Sequence, residues 1–451
     1  MKKDITYIVA VGLHVVLGIA IYFNEFLAKP YFWMAFLYFL YRIVLASESS
    51  RTFEVLKACG YFVGAEILFR MTRGAISYEA GKYIVILFCG MGIFYKGISG
   101  KAYPYFLYLL FLVPSIFVAS TTLSFDARFR TNIAFVLSGP VCLGVAALFC
   151  YDKKVTMKQI GTVLLYVLLP LLATTAYIYF YNPSVKEVLS NTASNRATSG
   201  GWGPNQVSTV LGLGVIVLAI RFFTKSPTLG LKLLNVVLLM LVGYRAIVTF
   251  SRGGVIAAVI VILAFLLVYF WEVGSKKRSE ILFMFLLFCG SVALTWVISS
   301  KQTEGYIDLR YANKDHLGRE KADLTTGRGT LFMEELEGFL NNPFLGIGSS
   351  RAKDQRIEEE GQGVTSHSEV SRMLAEHGIL GVAMLLILLI KPLDFRAKNS
   401  RNYYFYAFLC FWFATINHSS MRIAAPAFIY ALALLHVINE KSTLHRKPLQ
   451  R

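Results

Sequence analysis

Charge is what this chain has least of. Only 16% of its 451 residues are Asp, Glu, Lys or Arg, against roughly a quarter in soluble domains. With 56% apolar residues and a mean hydropathy of +0.56, that scarcity excludes a soluble globular protein and indicates a polytopic one built in lipid. Cofactor signatures are missing as well. No Asp-x-Asp pair occurs, so a carboxylate-bridged metal–diphosphate site is not visible, and the expectation is no metal. No Walker loop or G-x-G-x-x-G turn occurs either, so no nucleotide cofactor is expected. Cysteine is sparse: Cys59, Cys89, Cys142, Cys150, Cys289 and Cys410 all fall in or beside apolar runs. They imply neither a disulfide framework nor a zinc site and are expected to be packing residues. Lys2 and Lys3 precede the apolar run 5–23 without a small-residue cleavage site, so that run is expected to be a first span, not a leader.

What is present in quantity is apolar sequence. Runs near 5–23, 31–46, 54–69, 81–96, 104–121, 132–151, 160–181, 204–222, 232–250, 254–271, 280–299, 375–391, 403–418 and 423–438 approach the roughly 20 residues that cross a bilayer as a helix. Lipid admits only helices or closed barrels, and these runs lack the alternation of barrel strands. The expected architecture is therefore an all-α polytopic membrane protein with about 12–14 transmembrane helices and one large helical loop. Three parts follow: a bundle over 1–299 of about 11 spans, the loop over 300–374, and three more spans with a basic tail over 375–451.

The excess of 45 Lys+Arg over 27 Asp+Glu would suit nucleic acid, but alternate short loops account for it better. Lys96 and Lys101, Lys153 and Lys154, Arg221 and Lys225, Lys276 to Arg278, Lys391 to Arg401, and the tail with Lys441, Arg446, Lys447 and Arg451 all fall on one side. By the positive-inside rule that side is the cytoplasm, with both termini in it and 300–374 facing out. No nucleic-acid partner is expected. The few outward cations are mostly arginines: Arg70, Arg73, Arg128, Arg130, Arg196, Arg252, Arg328, Arg351 and Arg422. Guanidinium forks onto phosphate oxygens, so an anionic, phosphorylated ligand at the outer face is one reading. Contact with lipid headgroups or with Glu79 and Asp126 is the other.

Several motifs narrow this. Arg245 lies inside an apolar run and Arg252 follows two helical turns later, so a continuous helix would put both on one face. An intramembrane charge marks a site by default, although snorkelling to the interface competes. Ser251-Arg252-Gly253-Gly254 opens the next run, and its glycines allow another group to approach the backbone. Glu66 and Arg70 are spaced as a helical ion pair. In Gly200–Gln206, Trp202 is a candidate to stack on a sugar or anchor the interface, while the Asn205 and Gln206 amides are candidates for sugar hydroxyls or phosphate. The same segment also reads simply as a turn and a cap.

Within the loop, Thr326-Gly327-Arg328-Gly329 precedes an apolar stripe of Leu331, Phe332, Leu336, Phe339 and Leu340, expected to pack on the bundle. Asn341-Asn342-Pro343 should stop that helix. Ser366-His367-Ser368-Glu369 has the form of a capping box with Ser366 as N-cap. His367 would then be the first helical residue, kept neutral by the helix dipole and available as a base, although a lone histidine is more often structural.

Taken together, Gly200–Gln206, Ser251-Arg252-Gly253-Gly254, Gly327-Arg328, Asn342-Pro343-Phe344-Leu345-Gly346-Ile347-Gly348, His367 and Leu374-Ala375-Glu376-His377-Gly378-Ile379-Leu380-Gly381 resemble the O-antigen ligase/polymerase superfamily of bacterial membrane glycosyltransferases. The resemblance covers about residues 200–390. It implies an enzyme of the inner membrane that moves a glycan, without a metal, from undecaprenyl diphosphate to a hydroxyl acceptor such as a lipid A-core sugar, with the loop in the periplasm. Arg252 and Arg328 would hold the diphosphate, with Arg245 as a further candidate, and His367 would be the catalytic histidine. The family pattern has Asn after that histidine, where this chain has Ser368. An O-antigen polymerase, a protein O-glycosyltransferase and a lipid-linked oligosaccharide flippase are the alternatives.

Overall fold

A computed structural model describes residues 2–439 except Ser190, Ala322, Leu324, Thr326 and Gln362, and leaves the side chains of Lys2, Lys3 and Glu360 undescribed. Thr326 and the basic tail from Lys441 onward therefore lie outside the described residues.

Helix makes up nearly all of the regular secondary structure among the described residues. The first part comprises α1 (Lys2–Phe23), α2 (Ala28–Val44), α3 (Arg51–Met71), α4 (Ala80–Lys96), α5 (Tyr103–Phe111), α6 (Pro114–Thr122), α7 (Phe129–Cys150) and α8 (Met157–Tyr181). There follow α9 (Pro204–Thr224), α10 (Leu229–Ile247), α11 (Arg252–Glu272) and α12 (Ser275–Gln302). The loop holds α13 (Tyr306–Tyr311), α14 (Arg328–Asn341), α15 (Arg351–Glu360) and α16 (Glu369–His377). The chain ends in α17 (Ile379–Lys398), α18 (Phe405–Ser419) and α19 (Ala424–Ala433).

Among the described residues, 8 segments are long and apolar enough to cross a membrane: α1, α5 with α6, α7 to α12. The other expected runs are helical too, but shorter or more charged. Run 104–121 is interrupted ahead of Pro114, whose ring cannot continue the preceding helix. Run 423–438 departs furthest from expectation. Its helix has 10 residues, about 15 Å at 1.5 Å per residue, half of what a bilayer core requires. The remainder runs extended, and His436–Val437 pairs in parallel with Lys154–Val155. The segment is enclosed by other helices rather than by lipid, with every residue from Ala424 to Leu435 buried.

Lipid supplies little drive for one apolar helix to leave it for another, so close packing has to come from small residues. On α3, a Cβ at Gly64 would stand 2.0 Å from the Val167 carbonyl oxygen of α8. A rim of exposed Leu13, Phe94, Phe106, Leu263, Leu267 and Leu286 is the surface expected of a bundle wetted by acyl chains. Four cysteines are buried, and all six are free thiols. One end of the bundle gathers lysines: the Lys153 ammonium donates to the Lys96 carbonyl at 2.9 Å, and Lys232 pairs with Glu280 at 3.2 Å. The loop lies at the other end.

Candidate active site

The site is built where four segments meet at the loop end. Between α10 and α11 the backbone breaks at Val248–Ser251, with Phe250 at φ +58. That left-handed conformation costs a bulky residue about 1–2 kcal/mol, offset by full burial of its ring against Ile247 and Ile307. The break overturns the expectation of one helical face shared by Arg245 and Arg252. Arg252 starts α11, whereas Arg245 is buried near the loop end of α10, its guanidinium 4.0 Å from the Tyr179 ring.

Gly253 is glycine for a plain reason: a Cβ there would lie 2.0 Å from Nδ1 of His418. His418, at the end of α18, is the hub of the site. Arg328 donates to its Nδ1 at 3.1 Å, which requires that nitrogen to be unprotonated. The other ring nitrogen then donates to Ser251 Oγ at 3.2 Å, and Ser251 Oγ donates to Asn205 Oδ1 at 2.8 Å. One chain of hydrogen bonds thus joins Arg328 from the loop, His418, the turn before α11 and the start of α9. Gln206 next door is committed to structure. Its carbonyl oxygen accepts from Arg70 at 2.9 Å and from Trp202 at 3.1 Å, and its amide donates to Tyr78 at 3.2 Å. The expected Glu66–Arg70 pair forms at 2.6 Å. The same guanidinium donates to the Arg422 carbonyl at 2.9 Å, positioning the α18–α19 turn.

Arg310 joins this site from α13, donating to the Phe250 carbonyl at 3.1 Å. Burial and the Arg252 and Arg328 charges push its guanidinium down to about 10, far below the ordinary value. Arg328 is lowered by burial and by Arg252. Three arginines held close enough to oppose one another's charge are what a polyanion would relieve.

His367 sits beside them, but not as the capping box implied. The N-cap is Ser368, whose hydroxyl accepts from the Ser371 amide, so α16 starts two residues later than expected and His367 precedes it. Ser366 bonds instead to Glu335 at 3.1 Å, and the Ser420 amide donates to the His367 carbonyl at 3.1 Å. Arg422 donates to the carbonyls of Thr365 and Ser366. Burial, then the Arg422 charge, then that of Arg328, push the imidazole down to about 4. Neutrality therefore comes from burial and arginines rather than from a helix dipole. Its Nδ1 is buried without a protein partner.

The helix carrying Arg328 is also turned differently from expectation. Phe332 and Leu340 are exposed, and the buried residue of α14 is Glu335. An acid wins the inner face because it is fully partnered: Arg356 at 3.0 Å, Ser366 at 3.1 Å and Ser371 at 2.6 Å. Asn341 ends the helix as expected, and the following Gly346–Ile347 folds on α16, with the Ile347 amide on the Ala375 carbonyl at 2.8 Å.

Fold and site together define a multi-pass helical membrane protein with an arginine- and histidine-lined polar site at one end of its bundle. Residues 235–386 match the family model described as O-antigen ligase, so this stretch is similar to the O-antigen ligase family. No curated protein matches the chain. Arg252, Arg310, Arg328 and His367 fall within the matched stretch; Gln206, His418 and Arg422 fall outside it.

Proposed function

We propose that the protein transfers a glycan from undecaprenyl diphosphate to a hydroxyl acceptor, a lipid A-core sugar in the first instance, at the outer face of the inner membrane. The observation that carries this reading is the convergence of Arg252, Arg310 and Arg328 beside a neutral histidine with a buried, unpartnered Nδ1. The acceptor O–H attacks the anomeric carbon from the face opposite the diphosphate, and the carbon–oxygen bond to phosphate breaks with inversion. His367 Nδ1 takes the acceptor proton. The electron pair departs on undecaprenyl diphosphate, whose growing negative charge meets guanidinium groups already in place. Asn205, through Ser251 and His418, holds Arg328 in position, and Gln206 with Trp202 holds Arg70. This replaces direct sugar contact as the role supported for those three residues. Arg245 has no part in the step.

Such a reading makes the arginines, rather than a channel through the bundle, the centre of function, which favours an enzyme over a flippase. Its test is a deletion strain complemented with wild type or with His367→Ala. Wild type should restore long chains on lipid A-core. His367→Ala, present at normal level, should lower transfer roughly 10²–10⁴-fold and leave long chains on undecaprenyl diphosphate. Single repeats left on the core in the deletion would instead identify a polymerase, single repeats trapped on the cytoplasmic side a flippase, and normal transfer by His367→Ala would remove the histidine from the mechanism.

A further inference from the structure

Arg245 is 1% exposed, and its charge is met by the ring faces of Tyr179 at 4.0 Å and Tyr244 at 5.5 Å but by no anion among the described residues. Nη2 donates to the Asn182 carbonyl at 2.8 Å and more weakly to that of Tyr179 at 3.4 Å. Nε and Nη1 are buried with no acceptor, and among the described residues no carboxylate forms an ion pair with this guanidinium. Nor does it belong to the catalytic cluster: the arginine charges felt by Arg310 are those of Arg252 and Arg328, and Arg328 feels that of Arg252. A buried cation with two idle donors is costly in a bilayer unless an anion reaches it.

The space beside it has the form of a lipid. A cavity of about 400 Å3 opens between α8, α10 and α12, with Arg245, Tyr244 and Gln302 at its polar end and Val237, Met240, Leu241 and Ile298 along the rest. Leu233, Val237 and Leu241, spaced four apart on α10, are 56%, 51% and 43% exposed, so the apolar part continues onto the outer wall of the bundle. Arg245 and Gln302 lie at those ends of α10 and α12 that adjoin the loop. Head and tail of an ordinary membrane lipid would thus be met in the right order.

We infer that this cavity is a second lipid site, separate from the donor site, in which the phosphate of an anionic phospholipid occupies Arg245 Nε and Nη1 while an acyl chain lies along Val237, Met240 and Leu241. Such a lipid supplies the counter-charge that α10 lacks and wedges α10 from α12 next to the turn that presents Arg252.

The test uses the purified full chain in detergent, with retained molecules counted by native mass spectrometry after adding phosphatidylglycerol, phosphatidylcholine or inorganic phosphate. Wild type should retain one phosphatidylglycerol about tenfold better than Arg245→Gln, and better than it retains phosphatidylcholine. Met240→Trp, which fills the apolar part and keeps the charge, should lose it as well. Arg252→Ala should retain it, since that residue belongs to the other site. Equal retention by Arg245→Gln or by Met240→Trp overturns the site. Loss in Arg252→Ala with retention in Arg245→Gln moves the lipid to the donor site and overturns it too. Retention of inorganic phosphate by wild type, lost in Arg245→Gln and as strong as that of phosphatidylglycerol, overturns the lipid in favour of a free anion.

Discussion

At the scale of single residues, the candidate site holds charges that oppose one another. Burial and the arginines Arg422 and Arg328 hold His367 at about 4, so it is neutral at physiological pH but a weak base. A diphosphate bound to the arginines would cancel much of that field and raise the imidazole part of the way, burial still holding it below its ordinary value of 6.5, so the base is stronger when the donor is present. The sign follows from which form works. The neutral form is the base, so kcat/KM, which reports the free enzyme, should stay level down to about pH 5 and fall as pH drops through about 4. The break in kcat, which reports the bound complex, should come at higher pH. Profiles measured on the purified enzyme check both, and a kcat/KM break near 6.5 would contradict the electrostatic account.

Elements set where these residues stand, and two make sharp predictions. The start of α11 presses on the end of α18 through Gly253, with room for hydrogen only. Gly253→Ala should displace His418 and with it Arg328. A misplacement of about 1 Å costs on the order of 10²-fold in rate, so donor turnover should fall by about that factor while the protein still accumulates in the membrane. Helix α16 is held by Arg372, which pairs inside the protein with both Glu369 and Glu376. Removing it strands two buried carboxylates. Arg372→Ala should therefore destabilise the loop end by roughly 3–5 kcal/mol, seen as a lowered melting temperature, whereas Glu359→Ala on the exposed side of α15 should leave it unchanged. The turned face of α14 belongs to the same scale. Helical periodicity alone favoured Leu331 and Phe332 as the buried stripe, but Glu335 lies inward because Arg356, Ser366 and Ser371 satisfy it.

For the whole molecule, the outward placement of the loop is the prediction that matters most. In a cysteine-free background, Glu359→Cys on α15 should react with a membrane-impermeant maleimide added to intact spheroplasts. Lys398→Cys, at the far end of α17, should react only after lysis. The opposite pattern would place the arginine site in the cytoplasm and remove the periplasmic reading.

Much of this was legible in the sequence, because hydropathy and glycine spacing are local properties. The apolar runs, the loop, the helix begun by Arg328 and ended at Asn341, the Glu66–Arg70 pair and the need for close approach at Gly253 all follow from residues a few positions apart. His418 was hidden, since it ends an apolar run and nothing nearby signals that its ring meets Ser251, 167 residues away. Arg310 was hidden for a similar reason: its partner is the Phe250 carbonyl, exposed by a backbone reversal between two apolar runs. The capping box around Ser366 was misleading because Glu335 and Arg422 claim the groups that a cap would use. Sequence by itself determined a helical membrane protein with one polar loop and a set of arginines, since partition into lipid and helix periodicity act residue by residue. Only the tertiary structure decided which arginines share a site and which one, Arg245, stands apart, because charge proximity depends on how separate helices are brought together.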